Sequence, residues 1–120
     1  MEDYKCIPVV FYREEGSGSE PVKKWLLSLS KGDRKRIGND LRTVQIGWPI
    51  GMPLVRNLGG GLWEVRSHIL HGIARIIFMM SKGEIILLNG FIKKSQKTPD
   101  EELDLARKRT KKYKKEEAGK

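Results

Sequence analysis

The sequence contains very few of the residues that build disulfides, metal centres and membrane spans. Among its 120 residues are one cysteine, Cys6, and two histidines, His68 and His71. A single cysteine excludes an intramolecular disulfide framework, and no metal-ligand spacing such as H-E-x-x-H occurs. No apolar run approaches the roughly 20 residues of a transmembrane helix. The opening MEDYKCIPVV is not typical of a signal peptide. We therefore expect a cytoplasmic protein without a metal, a cofactor or a membrane partner, in which Cys6 is a small buried hydrophobe.

Acidic residues are also in the minority. The chain has 15 Asp and Glu against 24 Lys and Arg, a net charge of +9 and a pI of about 9.8. Residues 93–120 carry 11 basic and 6 acidic residues, so more than half of the excess lies in the last quarter. Such a field favours polyanionic partners, nucleic acid above all, and says nothing about the fold.

Hydrophobic periodicity predicts one α+β domain spanning residues 1–120, with residues 114–120 as a frayed tail. The predicted order is β-α-α-β-β-β-α, a mainly antiparallel sheet packed against helices. The first helix buries Val22, Trp25, Leu26 and Leu29, and the second begins at an N-cap, Asp33. Thr98 is the expected N-cap of the last helix and Pro99 its first residue. The predicted segments are a strand at 5–13, helices at 20–29 and from about 33 to 45, strands at 62–67, 73–80 and 84–92, and a helix from 98.

A cluster of cations surrounds the end of the last predicted strand. Lys93, Lys94 and Lys97 follow it within five residues, while Arg66 and Arg75 lie in the two preceding strands. Because Arg75 interrupts an apolar strand, it must either be paired or line a cleft. Arg66 and Arg75 on a common face would form a phosphate-binding cleft with the lysines at its rim. The alternative is a set of structural ion pairs with Glu64 or Asp100.

Other residues have simpler interpretations. His68 and His71 fall in a predicted hairpin loop, where they are surface residues, substrate contacts or a metal site. Residues 59–61, all glycine, are expected to be a flexible lead into a strand, since no G-K-[ST] follows them. Trp25, Trp48 and Trp63 are expected to serve packing, although aromatic rings can also stack on bases.

The motifs LWEVRS, IARIIF and IILLNGFIKKSQKTP, followed by a charged helix, resemble the RelE/ParE superfamily of type II toxins. The similarity covers residues 7 to 112 and is greatest to the HigB-like, phage-derived branch. It implies a RelE-like fold and a metal-independent endoribonuclease that cleaves mRNA on the ribosome. It also implies a cognate helix-turn-helix, HigA-like antitoxin. By this resemblance the catalytic residues are Arg75, Lys93, Lys94 and Arg66, and the RNA-binding residues are Lys97, His68, His71 and Arg107.

The chemistry that the resemblance implies is attack of an RNA 2′-hydroxyl on the adjacent phosphodiester. That reaction needs a base and cations that stabilise the transition state, and crowding makes one lysine of a cluster easier to deprotonate. The chain lacks the early tyrosine of the last helix and the histidine and aspartate that relatives use, so the acid and base are not identified. Two alternatives stay open: a ParE-like toxin that inhibits gyrase, and a non-catalytic nucleic-acid-binding module.

Overall fold

The computed structural model describes residues 6–93 and 97–119 of the chain. Within these residues the element order is β-α-α-β-β-β-β-α. The elements are β1 (Val9–Phe11), α1 (Pro21–Leu27), α2 (Lys31–Gly47), β2 (Val55–Gly59), β3 (Leu62–Ile69), β4 (Gly72–Ser81), β5 (Glu84–Lys93) and α3 (Asp100–Ala118).

The five strands form one mixed sheet with the order β1-β5-β4-β3-β2. Strands β2 to β5 are antiparallel neighbours, and β1 alone pairs in parallel, with β5. The predicted α+β class and the mainly antiparallel sheet packed against helices are therefore confirmed. The arrangement is consistent with a RelE-like fold.

The predicted order was one strand short, because residues 55–58 of β2 were assigned to no element. Its sequence, VRNLG, is short and contains Asn and Gly, which are depleted in strands. Residues 59–61 do not form a flexible lead: Gly59 ends β2, and Gly60 and Gly61 connect it to β3. All three glycines have positive φ, a backbone conformation that glycine adopts without steric cost.

Helices α1 and α2 cover one face of the sheet. Val22, Ile37 and Val44 are fully buried there against residues such as Ile76 and Leu87. Trp48 and Trp63 pack edge to face at a centroid distance of 5.1 Å, and both lie against Phe78. Trp25 lies against Gly90, where an added Cβ would collide with its ring. The expectation that the three tryptophans serve packing is thus confirmed.

Helix α3 covers the opposite face, which we call the α3 face. Leu103, Ala106 and Tyr113 of this helix pack on Ile77 and Leu88. Arg109 fastens the helix to the sheet by donating a hydrogen bond to the Leu88 carbonyl oxygen at 2.7 Å. It also pairs with Glu14 at 3.4 Å and lies over the Tyr12 ring. Two layers of apolar contact therefore enclose the central strands, as near-continuous apolar strands require.

Several local predictions were wrong. The N-cap of α2 is Ser30, whose hydroxyl accepts a hydrogen bond from the Asp33 N–H. The N-cap of α3 is Pro99, because the hydroxyl of Thr98 is bonded to a buried carboxylate of the sheet instead. Cys6 is exposed.

Helical geometry in α3 continues to Ala118, past residue 114, where fraying was expected to begin. Of the helices in the described part of the chain, none combines the length and the apolarity that a bilayer crossing requires.

Candidate nucleic-acid interface

Two arginines face each other near the centre of the α3 face. In the β3–β4 ladder, Arg66 is the direct partner of Arg75. Paired residues of an antiparallel ladder point to the same side of the sheet. Arg66 is 8% exposed and Arg75 is fully buried. The arrangement therefore brings together two of the predicted site residues, in a place where their charges need compensation.

Glu64 supplies that compensation. Its Oε1 atom lies 3.7 Å from Nε of Arg66 and 3.9 Å from Nη1 of Arg75. Glu64 is itself completely buried. Both separations are longer than a charge-assisted hydrogen bond, which measures about 2.7–2.9 Å. The attraction is therefore electrostatic and does not involve a bidentate pair of hydrogen bonds. Of the two interpretations left open by the sequence, the ion pair with Glu64 is present.

The three charged groups are electrostatically coupled. Burial lowers the pKa of Arg75, and the positive charges of Arg66 and Arg56 lower it further. The carboxylate of Glu64 acts in the opposite direction and favours the charged guanidinium. The charges of Arg56, Arg66 and Glu64 therefore all act on Arg75 at this point of the sheet. An anion placed near Arg75 would favour its charged form.

The start of α3 is tied to the same cluster. The Thr98 hydroxyl donates a hydrogen bond of 2.7 Å to Oε2 of Glu64. The Asn89 side chain donates to the Glu102 carboxylate at 2.9 Å and to its carbonyl oxygen at 3.2 Å. Two side-chain contacts therefore fix the first turn of α3 against β3 and β5.

An open pocket of about 220 Å³ adjoins this cluster at the outer strand β2. Arg56, which pairs with Glu64 across the β2–β3 ladder, forms one side of it. Lys97 is exposed and forms the other side, next to Thr98. The full lining is Arg56, Asn57, Leu58, Lys97, Thr98, Asp100 and Leu103. Two cations thus share this opening with Asp100 and with Thr98, whose hydroxyl is bonded to Glu64.

Lys93 and His68 lie on the α3 face in the row of residues next to the Arg66–Arg75 pair. Lys93 pairs with Ile73, which in turn pairs with His68, so the three occupy one row across β5, β4 and β3. Lys93 is diagonal to Arg75, a placement that separates Cα atoms by about 7–8 Å. Both Lys93 and His68 are exposed. Lys94 was also predicted to be catalytic, but it lies outside the described residues.

The remaining predicted residues lie elsewhere. His71 is exposed in the turn between β3 and β4. That hairpin is held to α2, because the His68 carbonyl accepts a hydrogen bond from Arg36 at 3.3 Å. Arg107 lies in the middle of α3, exposed and paired with Asp104 at 3.3 Å. Neither His71 nor Arg107 touches the arginine cluster through a described contact.

Sequence reasoning missed two members of the site and part of the role of a third. Glu64 was named as an ion-pair partner, which is correct, but its contacts join Arg66, Arg75 and Thr98. Arg56 was overlooked because its strand was not predicted. Thr98 was assigned to helix capping, since a Thr-Pro-Asp-Glu run is typical of a helix start. The available signal was the alternation of Glu64 with Arg66, which places both on one face of a strand.

This arrangement can hold an anionic backbone. The arginines provide a fixed positive centre, while exposed Lys93, Lys97 and the partly exposed Arg56 can reach phosphate groups. Within residues 6–93 and 97–119, three or more His, Cys, Asp or Glu residues do not gather in a way that could hold a metal ion.

Two comparisons with known proteins bear on this chain. The model of a family described as phage derived protein Gp49-like (DUF891) matches residues 24–111. This segment includes α2, β2 to β5 and the Glu64–Arg66–Arg75 cluster. No curated protein sequence matches the chain.

Proposed function

The chain belongs to the phage-derived Gp49-like family, and on that premise we propose that it is the toxin of a type II toxin–antitoxin system. In this proposal the protein is an endoribonuclease of the RelE/HigB type that cleaves mRNA bound to the ribosome. The observation that carries the proposal is the α3-face cluster: Arg66 and Arg75 about one buried carboxylate, beside an open pocket flanked by Arg56 and Lys97.

The proposed reaction is attack of the 2′-hydroxyl on its own 3′-phosphodiester. The hydroxyl loses a proton, its oxygen bonds to phosphorus, and the 5′-oxygen of the next nucleotide leaves and takes up a proton. The products are a 2′,3′-cyclic phosphate and a 5′-hydroxyl. Negative charge grows on the equatorial oxygens, so preorganised cations lower the barrier. Arg66 and Arg75 provide fixed positive charge, and Lys93 is the proposed proton acceptor at the exposed rim.

The alternative function, a ParE-like toxin that inhibits gyrase, is less well supported. Such a toxin has no need of a cationic constellation on the sheet, whereas Arg56, Arg66 and Arg75 share one face here. A non-catalytic binding module would use the same basic surface, so only the chemistry of the RNA ends separates it from a nuclease.

The partner in this proposal is a helix-turn-helix antitoxin that covers the basic surface. Acidic groups on such a partner would speed capture of the toxin through complementary charge. Co-expression with the neighbouring open reading frame tests this point. We expect the two proteins to co-purify and growth arrest to be relieved; a neighbour that neither binds nor protects would contradict the toxin–antitoxin assignment.

The test of the nuclease is cleavage of a translated message by purified protein and ribosomes, with both new ends characterised. We expect cuts within translated codons, a 2′,3′-cyclic phosphate on one fragment and a 5′-hydroxyl on the other. Substrate with 2′-deoxyribose at the cut site should resist, because the attacking group is missing. Growth arrest without new RNA ends, accompanied by loss of DNA supercoiling activity, would instead identify the gyrase inhibitor.

A further inference from the structure

A second basic groove lies along α3, away from the arginine cluster. It has a volume of about 280 Å³ and runs between the middle of α3 and the β2–β3 turn. Three cations of the helix, Arg107, Lys111 and Lys114, line it together with Thr110. Gly60 and Leu62 form its opposite side. All three cations are exposed, and Arg107 also pairs with Asp104 on the helix surface.

The spacing of these cations makes them one stripe. Arg107, Lys111 and Lys114 are related as i, i+4 and i+7, which places their side chains on the same side of an α-helix. The side of the groove opposite the stripe is open at Gly60, because an added Cβ there would meet nothing within 4 Å. Glycine allows close approach of a ligand to backbone. A phosphate could therefore reach the cations without displacing a side chain of the turn.

The groove and the pocket at Arg56 and Lys97 follow one another along the chain, and we call the line that they form the seam. The pocket is lined by β2 and by Leu103 of α3. The groove is lined by Gly60 and Leu62, just after β2, and by α3 from Arg107 onward. From Arg56 to Gly60 the strand advances about 13 Å at its usual rise. From residue 103 to residue 111 the helix advances about 12 Å. The distance from one opening to the next is therefore similar along both elements.

We propose that this seam is a binding track for the sugar–phosphate backbone of single-stranded RNA, with Arg107, Lys111 and Lys114 holding the strand beyond the cleavage site. The inference rests on the proposed nuclease function and adds a binding segment to it. Contacts of exposed lysine and arginine with phosphate are independent of base sequence. The track therefore increases affinity for long RNA and leaves the selection of the cleaved bond to the arginine cluster and the ribosome.

The chain offers a matched control for this proposal. Lys108, Lys112 and Lys115 have the same i, i+4, i+7 spacing and are exposed on α3, but they do not line the groove. They are rotated by about 100° around the helix from the groove stripe. The groove variant is R107Q/K111Q/K114Q and the control variant is K108Q/K112Q/K115Q. Both remove three positive charges from the same helix, so a difference between them reports position and not net charge.

The measurement is the affinity for uncleavable 2′-O-methyl RNA at a series of salt concentrations. Single-stranded RNA of about 4 and about 12 nucleotides is used, a range that spans common site sizes. For the longer RNA, loss of three phosphate contacts should reduce the slope of log affinity against log salt by about 2. At about 0.1 M salt this corresponds to binding weaker by about two orders of magnitude. The shorter RNA should bind the groove variant and the wild-type protein almost equally.

Two other outcomes of the binding measurement overturn the proposal. Equal effects of the groove and control variants would mean that only the general positive field of α3 attracts RNA. A groove variant that binds both RNAs normally but has lost its antitoxin would identify the seam as a protein interface. Should the triple variant fold poorly, K111Q alone should lower the slope by about 0.7, and an unchanged slope counts against the track. Because binding and cleavage are measured separately, wild-type protein that binds long RNA without cutting it contradicts the nuclease and not the track.

Discussion

Arg66 and Arg75 are direct cross-strand partners, and both guanidinium groups lie within 4 Å of the same Glu64 oxygen, at 3.7 and 3.9 Å. Like charges directly opposite one another destabilise a sheet unless something compensates them. Glu64 provides such compensation for both arginines, and the positive charge of Arg56 lies close enough to affect Arg75. The fold thus places two arginines about one buried carboxylate at the point where the proposed substrate carries its negative charge.

The first prediction separates the structural role of Arg75 from its proposed catalytic role. R75M preserves an unbranched side chain but breaks a buried ion pair, which typically costs about 3–5 kcal/mol of stability. The double variant E64Q/R75M should be less destabilised than the sum of the two single changes, since no buried carboxylate loses its partner. Cleavage should stay slower by about two to three orders of magnitude in both variants, because the guanidinium is absent.

Denaturant unfolding and single-turnover cleavage on the same proteins provide the measurement. A double variant that regains cleavage together with stability would show that Arg75 acts only through the fold. An R75M protein with normal stability would contradict the importance of the ion pair instead.

The sequence led to the hypothesis that Arg66 and Arg75 share a face, and the β3–β4 ladder bears it out. Alternation with period two could not decide it alone, because the relative placement of two strands depends on their register. The compensating role of Glu64 could not be settled that way, since it depends on the strand register. Arg56 escaped prediction because VRNLG resembles a loop and forms a strand only through pairing with β3. Thr98 shows the same limit. Its local sequence favours a helix cap, but its hydroxyl donates a hydrogen bond to the buried carboxylate of Glu64, 34 residues away in sequence.

The second prediction concerns that hydroxyl. T98V keeps the shape of the side chain and removes the hydrogen bond to Glu64, which should destabilise the fold by about 1.5–3 kcal/mol, the range for bonds to charged groups. T98S should recover most of the loss. T43V is the control, because the Thr43 hydroxyl bonds only within exposed α2. Its effect should stay within about 0.5 kcal/mol. Equal losses in T98V and T43V would show that the Thr98–Glu64 bond contributes nothing to stability.

The third prediction is an alkaline loss of stability through Tyr12. Burial, and next the carboxylate of Glu14, raise the pKa of Tyr12, while Arg109 opposes them. The unfolded chain then releases this proton at a lower pH, near the ordinary tyrosine pKa of about 10. The stabilising contribution is complete below that pH and is lost as the pH rises towards the folded-state pKa.

Y12F removes the titrating hydroxyl, so its stability should decline less than that of the wild-type protein above about pH 10. Urea unfolding at neutral and alkaline pH measures the difference, in which lysine titration common to both proteins cancels. Identical pH profiles would contradict the raised pKa.

The fourth prediction tests whether Lys93 is a proton acceptor or only a positive charge. Lys93 is exposed, so K93A should leave the melting temperature unchanged while slowing cleavage by about two to three orders of magnitude. K35A is the matched control, an exposed lysine of α2 on the other side of the sheet, and it should cleave normally.

K93R is the decisive variant, because arginine keeps the charge but cannot be deprotonated. If Lys93 accepts the proton of the 2′-hydroxyl, K93R should be as slow as K93A under single-turnover conditions. Rescue by K93R to within about tenfold of the wild-type rate would assign Lys93 to charge stabilisation and leave the base to another group.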